Sequence, residues 1–165
     1  MLRRSLLVAV TSAFMVLSVA SPAAATHGDR DWRLPTRTIY VDDRSGAAWP
    51  VGRAAATWSD RTDARLIYGR CRDGHGCIRV RDVAWCDPDL YAEAARHSRR
   101  VRVITFDSCD TRKLSARERR STACHEIGHA LGLGHRRSLR SCMAVPLDAS
   151  AYPDAHDVRE IDRLY

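Results

Sequence analysis

The sequence predicts an α+β domain, a twisted sheet with two helices framing a cleft. Three observations carry this. Two segments, Ile78 to Val83 and Arg100 to Phe106, alternate apolar and polar residues with the period of a strand. A helix opens on the capping box Ser115-Ala116-Arg117-Glu118. A last helix shows in the 3–4 spacing of Val158, Ile161, Leu164 and Tyr165.

The elements follow in chain order. Thr38 to Asp42 is a short β-prone run closed by the turn formers Asp43, Ser45 and Gly46. Ala47 to Ser59 places Val51, Ala54, Ala55 and Trp58 on one helical face. Leu66-Ile67-Tyr68 reads as a strand, as does Ile78 to Val83. Leu90 to Ala95 is open: propensity favours a helix, a sheet edge would require a strand. In Arg100 to Phe106 one face starts polar at Arg102, which predicts partial exposure. The helix from Ser115 runs through His125 and His129 to near Leu131, where Gly132 supplies the positive φ that ends it.

Residues 1–25 read as a secretory signal: Arg3 and Arg4, an apolar run from Leu6 to Ala20, and a small-residue end at Ala23-Ala24-Ala25. The run is too short for a comfortable membrane span, and general or twin-arginine export both fit. Residues 26–165 then form a single secreted domain, expected to be a monomer with no membrane span. Losing Arg3 and Arg4 lowers the net charge from +7 to +5. Lys113 is the sole lysine beside 26 arginines, which reads either as attraction to anionic surfaces or as a codon preference. No basic helix or aromatic-interleaved strand suggests nucleic-acid binding.

The chemistry concentrates in His125-Glu126-Ile127-Gly128-His129-Ala130-Leu131-Gly132-Leu133-Gly134-His135. Histidines four apart on a helix lie about 40° apart around the axis and about 6 Å along it, so both imidazoles face one point. Gly132 lets the chain turn and bring back His135. Three imidazoles with an open position are the catalytic form of a zinc site, and Glu126 stands where it can take a proton from water. His27, His75, His97 and His156 read as surface or structural residues. Met143 in Ser141-Cys142-Met143-Ala144-Val145-Pro146, eight residues past His135, would alone read as core filler.

Together these residues resemble the metzincins, and within them the matrixins. The histidine motif, the step to Met143, Ala54-Ala55-Ala56-Thr57-Trp58-Ser59 and the ending Asp157-x-x-x-Ile161-x-x-Leu164-Tyr165 are similar to that family's pattern. The resemblance implies a mixed five-stranded sheet, an active-site helix, a Met-turn at Met143 beneath the histidines and a C-terminal helix. It also implies one catalytic Zn²⁺ on His125, His129 and His135, with Glu126 as general base. Protein or peptide substrates lie along an edge strand, and Leu147 and Tyr152 wall the leaving-group pocket. The chain departs from the pattern at Arg136, where matrixins carry a small hydroxyl residue. Val145 stands where astacins and serralysins place a tyrosine. The calcium and structural-zinc loop is not recognisable, and no cysteine-switch propeptide is expected between Ala25 and Thr38.

The six cysteines imply disulfides in an exported chain, with 15 pairings open. Cys124 precedes the first ligand and Cys142 precedes Met143; if both surround one metal they approach, and the bond contributes about 3 kcal/mol. Cys71 and Cys77 flank a turn, and Cys86 and Cys109 remain. A thiolate metal site at Cys71, Cys77 and His75 is the alternative there. An inactive zinc-binding module and a closed structural zinc site are the competing functions; Glu126 and the open coordination argue against both.

Overall fold

The computed structural model describes residues 29–165 except 47, 88, 89, 110 and 146–148. The segment read as a signal, and with it His27, lies outside the described residues, as does Leu147. In chain order the elements are β1 (Thr38–Asp43), α1 (Val51–Arg61), β2 (Arg65–Tyr68), β3 (Gly76–Val83), β4 (Ala92–Arg96), β5 (Val101–Asp107), α2 (Ala116–Leu131) and α3 (Ala155–Leu164).

The five strands form one sheet in the order β2-β1-β3-β5-β4. All neighbours run parallel except β4, which pairs antiparallel with β5 from Ala92↔Phe106 to Arg96↔Arg102. One face of the sheet carries Ile39, Val41, Ile78, Val80, Ile104 and Phe106, all buried, against Val51, Ala54, Ala55 and Trp58 of α1 and Ala123, Ile127 and Leu131 of α2. Trp49 stacks on Phe106 with ring centroids 4.3 Å apart. Alternation in β3 is clean: Ile78 and Val80 are buried, Arg79 and Arg81 exposed.

Three sequence expectations change and one open reading is resolved. The first helix starts at Val51 rather than Ala47, because Pro50 disfavours helical geometry in the residue before it; Ala47 itself lies outside the described residues. The ambiguous segment after Leu90 is a strand: pairing with β5 outweighs the helical preference of its alanines. Arg102 is fully buried, not partly exposed. Its guanidinium donates to the carbonyls of Trp32, Arg33, Ser98 and Val101 and lies 5.3 Å from the Trp32 ring, so its charge is solvated by the fold. Burial pulls its pKa below the ordinary arginine value, with the nearby Arg96 charge adding to the effect. In α3 the buried face is Asp157, Glu160, Ile161 and Leu164, with Val158 only half-buried. Asp154 caps this helix in a capping box with Asp157.

The cysteines pair as Cys71–Cys77, Cys86–Cys109 and Cys124–Cys142, with Cα atoms 5.5, 5.1 and 6.0 Å apart. The first pairing removes the thiolate-site alternative; His75 instead packs edge-on against Tyr40.

Candidate metal centre

Helix α2 positions the site. Ser115 accepts from the Glu118 amide, and the Glu118 carboxylate accepts from the Ser115 amide at 2.6 Å. Sixteen residues later the helix stops at Gly132, whose φ of 114° a residue with a Cβ would resist. A Cβ there would also crowd the Asp29 carbonyl and the Leu164 side chain, each at 3.2 Å. The turn returns the Leu133 carbonyl onto His129 Nδ1 at 2.7 Å and swings His135 towards the helix.

The ligand atoms of His125, His129 and His135 all lie within 4.8 Å of one another. Two of the rings are aimed by the backbone. His125 Nδ1 donates to the Cys142 carbonyl at 2.8 Å, and His129 Nδ1 to the Leu133 carbonyl. Because a carbonyl only accepts, both Nδ1 atoms carry the proton and both Nε2 atoms present a lone pair. Those two Nε2 atoms face each other at 2.8 Å. Two lone pairs at that distance repel unless a cation lies between them. A proton is disfavoured: burial pushes His125 down to about 4, and burial with the neighbouring His125 pushes His129 down to about 3. Burial lowers His135 as well. Neutral imidazoles with free Nε2 atoms and carbonyl-bonded Nδ1 atoms are the donor set a zinc ion takes.

Cys142 links two parts of the centre. Its disulfide ties the following turn to Cys124 on α2, and its carbonyl orients His125. Met143, fully buried, comes next, and its carbonyl accepts from the Arg136 amide at 2.8 Å. Its sulfur lies against Gly128, between the two helical histidines in sequence. A Cβ on Gly128 would sit 2.3 Å from Met143 Sδ and 2.9 Å from Trp58 Cζ2. Gly128→Ala gains up to about 1 kcal/mol of helix propensity but overpacks this contact at a cost of about 1–3 kcal/mol. The contact should win, seen as a lower midpoint in denaturant and faster metal loss on dialysis; a variant as stable as the parent would show that the methionine yields freely. The turn is also held from α3. Ser141 donates to the buried Asp157 carboxylate at 2.5 Å and accepts from the Met143 amide at 2.8 Å. The C-terminal Tyr165 hydroxyl donates to the Leu131 carbonyl at 3.1 Å and accepts from the Leu34 amide at 3.0 Å.

Glu126 is 5% exposed, and its Oε2 has no hydrogen-bond partner among the described residues. Burial, helped by the charge of Glu93, pushes its pKa up to about 8 when no metal charge is present. Glu126, the three histidines, Trp32, Ala92, Glu93 and Ala94 line one cavity of about 450 Å³, bounded by the edge strand β4. The site thus has three imidazoles, a carboxylate without a partner and an open face.

These shifts dictate a pH profile for the metal-free protein. As pH falls below 6.5 the unfolded chain protonates His125 and His129, while the folded site refuses those protons until about 4 and 3, so stability drops. Glu126 works the other way. Its folded carboxyl keeps a proton up to about 8 that the unfolded one releases near 4.5, so stability falls as pH rises across that interval. Two imidazoles outweigh one carboxyl below 6.5, and the carboxyl acts alone above it. The melting temperature in chelator should therefore peak near pH 6.5, as calorimetry from pH 4.5 to 8.5 would test. A steady rise to pH 8 would contradict the Glu126 contribution.

The other sequence candidates fall elsewhere. His75 and His97 lie away from this cavity, and His156 Nε2 is bonded to Arg136 at 3.0 Å. Among the described residues only His125, His129 and His135 form a group that could hold a metal ion. Tyr152 does not line the cavity; its ring lies 5.4 Å from the Arg61 guanidinium. Sequence reasoning named Gly128, Ser141 and Asp157 within motifs but did not see that they hold the turn of Met143 against α2 and α3. The one available signal was Gly128 itself, since a glycine inside a helix costs about 1 kcal/mol and calls for a packing reason.

Comparison with known proteins agrees with this geometry. No curated protein matches the chain. Among solved structures, archaemetzincin from Methanopyrus kandleri is similar in fold, with a TM-score of 0.52 and 14% identity over 82% of this chain and 97% of that one. The family model for matrixin matches residues 10–165. A mixed five-stranded sheet, a helix presenting two of three convergent histidines and this family match together place the chain in the matrixin family of zinc metallopeptidases.

Proposed function

We propose that the chain is a secreted, monomeric, single-domain endopeptidase in which His125, His129 and His135 hold one zinc ion and Glu126 is the general base. The observation that carries this is the partnerless, buried Oε2 of Glu126 opening onto the same cavity as the three imidazoles. A buried carboxylate without a partner costs stability, and an active site is where that cost is tolerated. When bound, zinc supplies Lewis acidity towards the scissile carbonyl and lowers the pKa of water towards 7. Beside a dication the Glu126 carboxylate is ionised at neutral pH; it takes a proton from the attacking water and passes it to the leaving amine. The free edge of β4 offers unpaired backbone groups along the cavity, to which an extended peptide can add as a further strand.

Three disulfides among the described residues support an oxidising, extracellular location. No helix among these residues is long and apolar enough to cross a membrane. Residues 1–25 would be the signal removed on export, leaving 26–165 as the enzyme.

The test is to quantify zinc in the purified protein and incubate it with unfolded casein, with and without chelator. Chelator-sensitive cleavage is the expected result. Bound zinc with no cleavage would leave a binding module of the same fold, and cleavage indifferent to chelator would remove the metal from the mechanism.

A further inference from the structure

We infer that the segment before β1, residues 29–34, is a wall of the substrate cleft, in which Trp32 meets a bulky apolar side chain of the peptide and the buried Arg102 holds Trp32 in place; this rests on the peptidase reading above.

The segment is fastened at the mouth of the site by α2, β4, α3 and β5. The Asp29 amide donates to the Gly132 carbonyl at 2.8 Å, in the turn between the second and third histidines. From β4, Arg96 donates to the Asp31 carbonyl at 3.2 Å. The Leu34 amide donates to the Tyr165 hydroxyl at 3.0 Å, and the Arg33 side chain donates to the Leu164 carbonyl. Arg102 of β5 completes the set: one guanidinium nitrogen serves the carbonyls of Trp32 and Arg33, the other those of Ser98 and Val101. A fully buried guanidinium is costly unless its donors are met, and two of its four acceptors here belong to this segment. The proposed chemistry has no use for Arg102, so its placement needs another account. It fixes the segment against β5, at the cavity.

Trp32 is the residue the segment presents to that cavity. It lines the same space as the three histidines and Glu126. Its amide donates to the Asp29 carbonyl at 3.1 Å and its own carbonyl accepts from Arg102, so the indole is what remains for a ligand. A tryptophan placed only to fill the core would be covered, as Trp49 and Trp58 are. Trp32 is half-buried, with the Arg102 guanidinium over its ring. Ala92 and Ala94 of β4 line the cavity with small side chains, so the protein itself leaves the space beside the edge strand unfilled. A peptide joining β4 would lay alternate side chains into that space. A leucine or phenylalanine there removes its own apolar surface and that of the indole from water together, whereas an alanine leaves most of both wet.

The experiment uses the zinc-loaded mature protein and matched fluorogenic peptides that differ only in Phe, Leu or Ala at each position around the cleaved bond. At one position the Leu and Phe peptides should exceed the Ala peptide in kcat/KM by about tenfold, the scale on which apolar pockets separate side chains. That ratio should drop towards one in Trp32→Ala and return in Trp32→Phe. Arg102→Met should lower the same ratio, because nothing then holds the two carbonyls, and Arg102→Lys, which keeps a donor for them, should restore part of it. A purely structural role for Arg102 would slow all three peptides alike and leave the ratio intact. If Arg102→Met does not fold, the Trp32 pair on its half-buried segment decides the matter. Ratios in Trp32→Ala equal to the parent's at every position would overturn the assignment. A second arm needs no turnover: fluorescence anisotropy of the same peptides on zinc-loaded Glu126→Gln protein should rank them in the same order, lost in the Trp32→Ala double variant. If no peptide is cleaved but this order appears, the peptidase reading fails while the wall stands. If peptides are cleaved and neither arm shows an order that depends on Trp32, the wall fails alone; no cleavage and no order overturns both.

Discussion

Glu126→Gln should lower kcat by about 10²- to 10⁴-fold, the range that a positioned general base contributes, while the bound zinc stays at the parent level. Glutamine has the same shape and still fits the space, but its amide cannot accept a proton from water. None of the three imidazoles is touched. Stability should move the opposite way from activity. Glu126 is 5% exposed with one oxygen lacking a partner, and burial raises its pKa to about 8, so holding it ionised costs folding free energy. The neutral amide removes that cost. In chelator the variant should melt at or above the parent, with the gap widening from about pH 5 to 8, where the parent loses stability through this group. Stopped assays, metal analysis and calorimetry on one preparation check all three statements. Turnover near the parental rate would remove Glu126 from the mechanism, and a lower melting temperature would make it a structural group.

His129→Ala should abolish both metal retention and turnover. It removes one of three converging nitrogens and the one whose Nε2 faces His125 Nε2 at 2.8 Å. It also frees the Leu133 carbonyl that aims the ring. The fold itself should survive, because alanine suits the interior of α2 and His129 is only half-buried. The discriminating readout is linkage. Zinc binds the folded parent and stabilises it in proportion to the logarithm of its concentration over Kd, so chelator should lower the parental melting temperature. The variant should melt at one temperature with or without chelator. A variant that retains zinc through dialysis would mean that His125 and His135 suffice or that the ion sits elsewhere.

The active-site helix was readable almost residue by residue. Ser115 caps it, Glu118 closes the box and Gly132 ends it with a positive φ, because each of these signals is local. Spacing on one helix also brings His125 and His129 to the same point, and a glycine turn is enough to return His135. The strands with strict alternation were legible for the same reason: β3 needs only its own period to show which side is buried.

Where the answer depended on what lies across from a residue, the sequence was silent or misleading. The alanines of β4 favour a helix on their own, and only an unfilled edge beside β5 makes them a strand. Arg102 reads as partly exposed until the carbonyls of Trp32, Arg33, Ser98 and Val101 surround it. The buried face of α3 turns from Val158 to Asp157 because Asp157 has Ser141 to bond, a partner 16 residues away.

By itself the sequence determined the three candidate ligands and the helix that carries two of them, since hydrogen-bonding periodicity and caps act over a few residues. The tertiary structure alone decided that Met143 rests on Gly128 and that the edge strand β4 borders the cavity of the three histidines. Those are meetings of distant segments, set by strand pairing and close packing, and no local pattern encodes them.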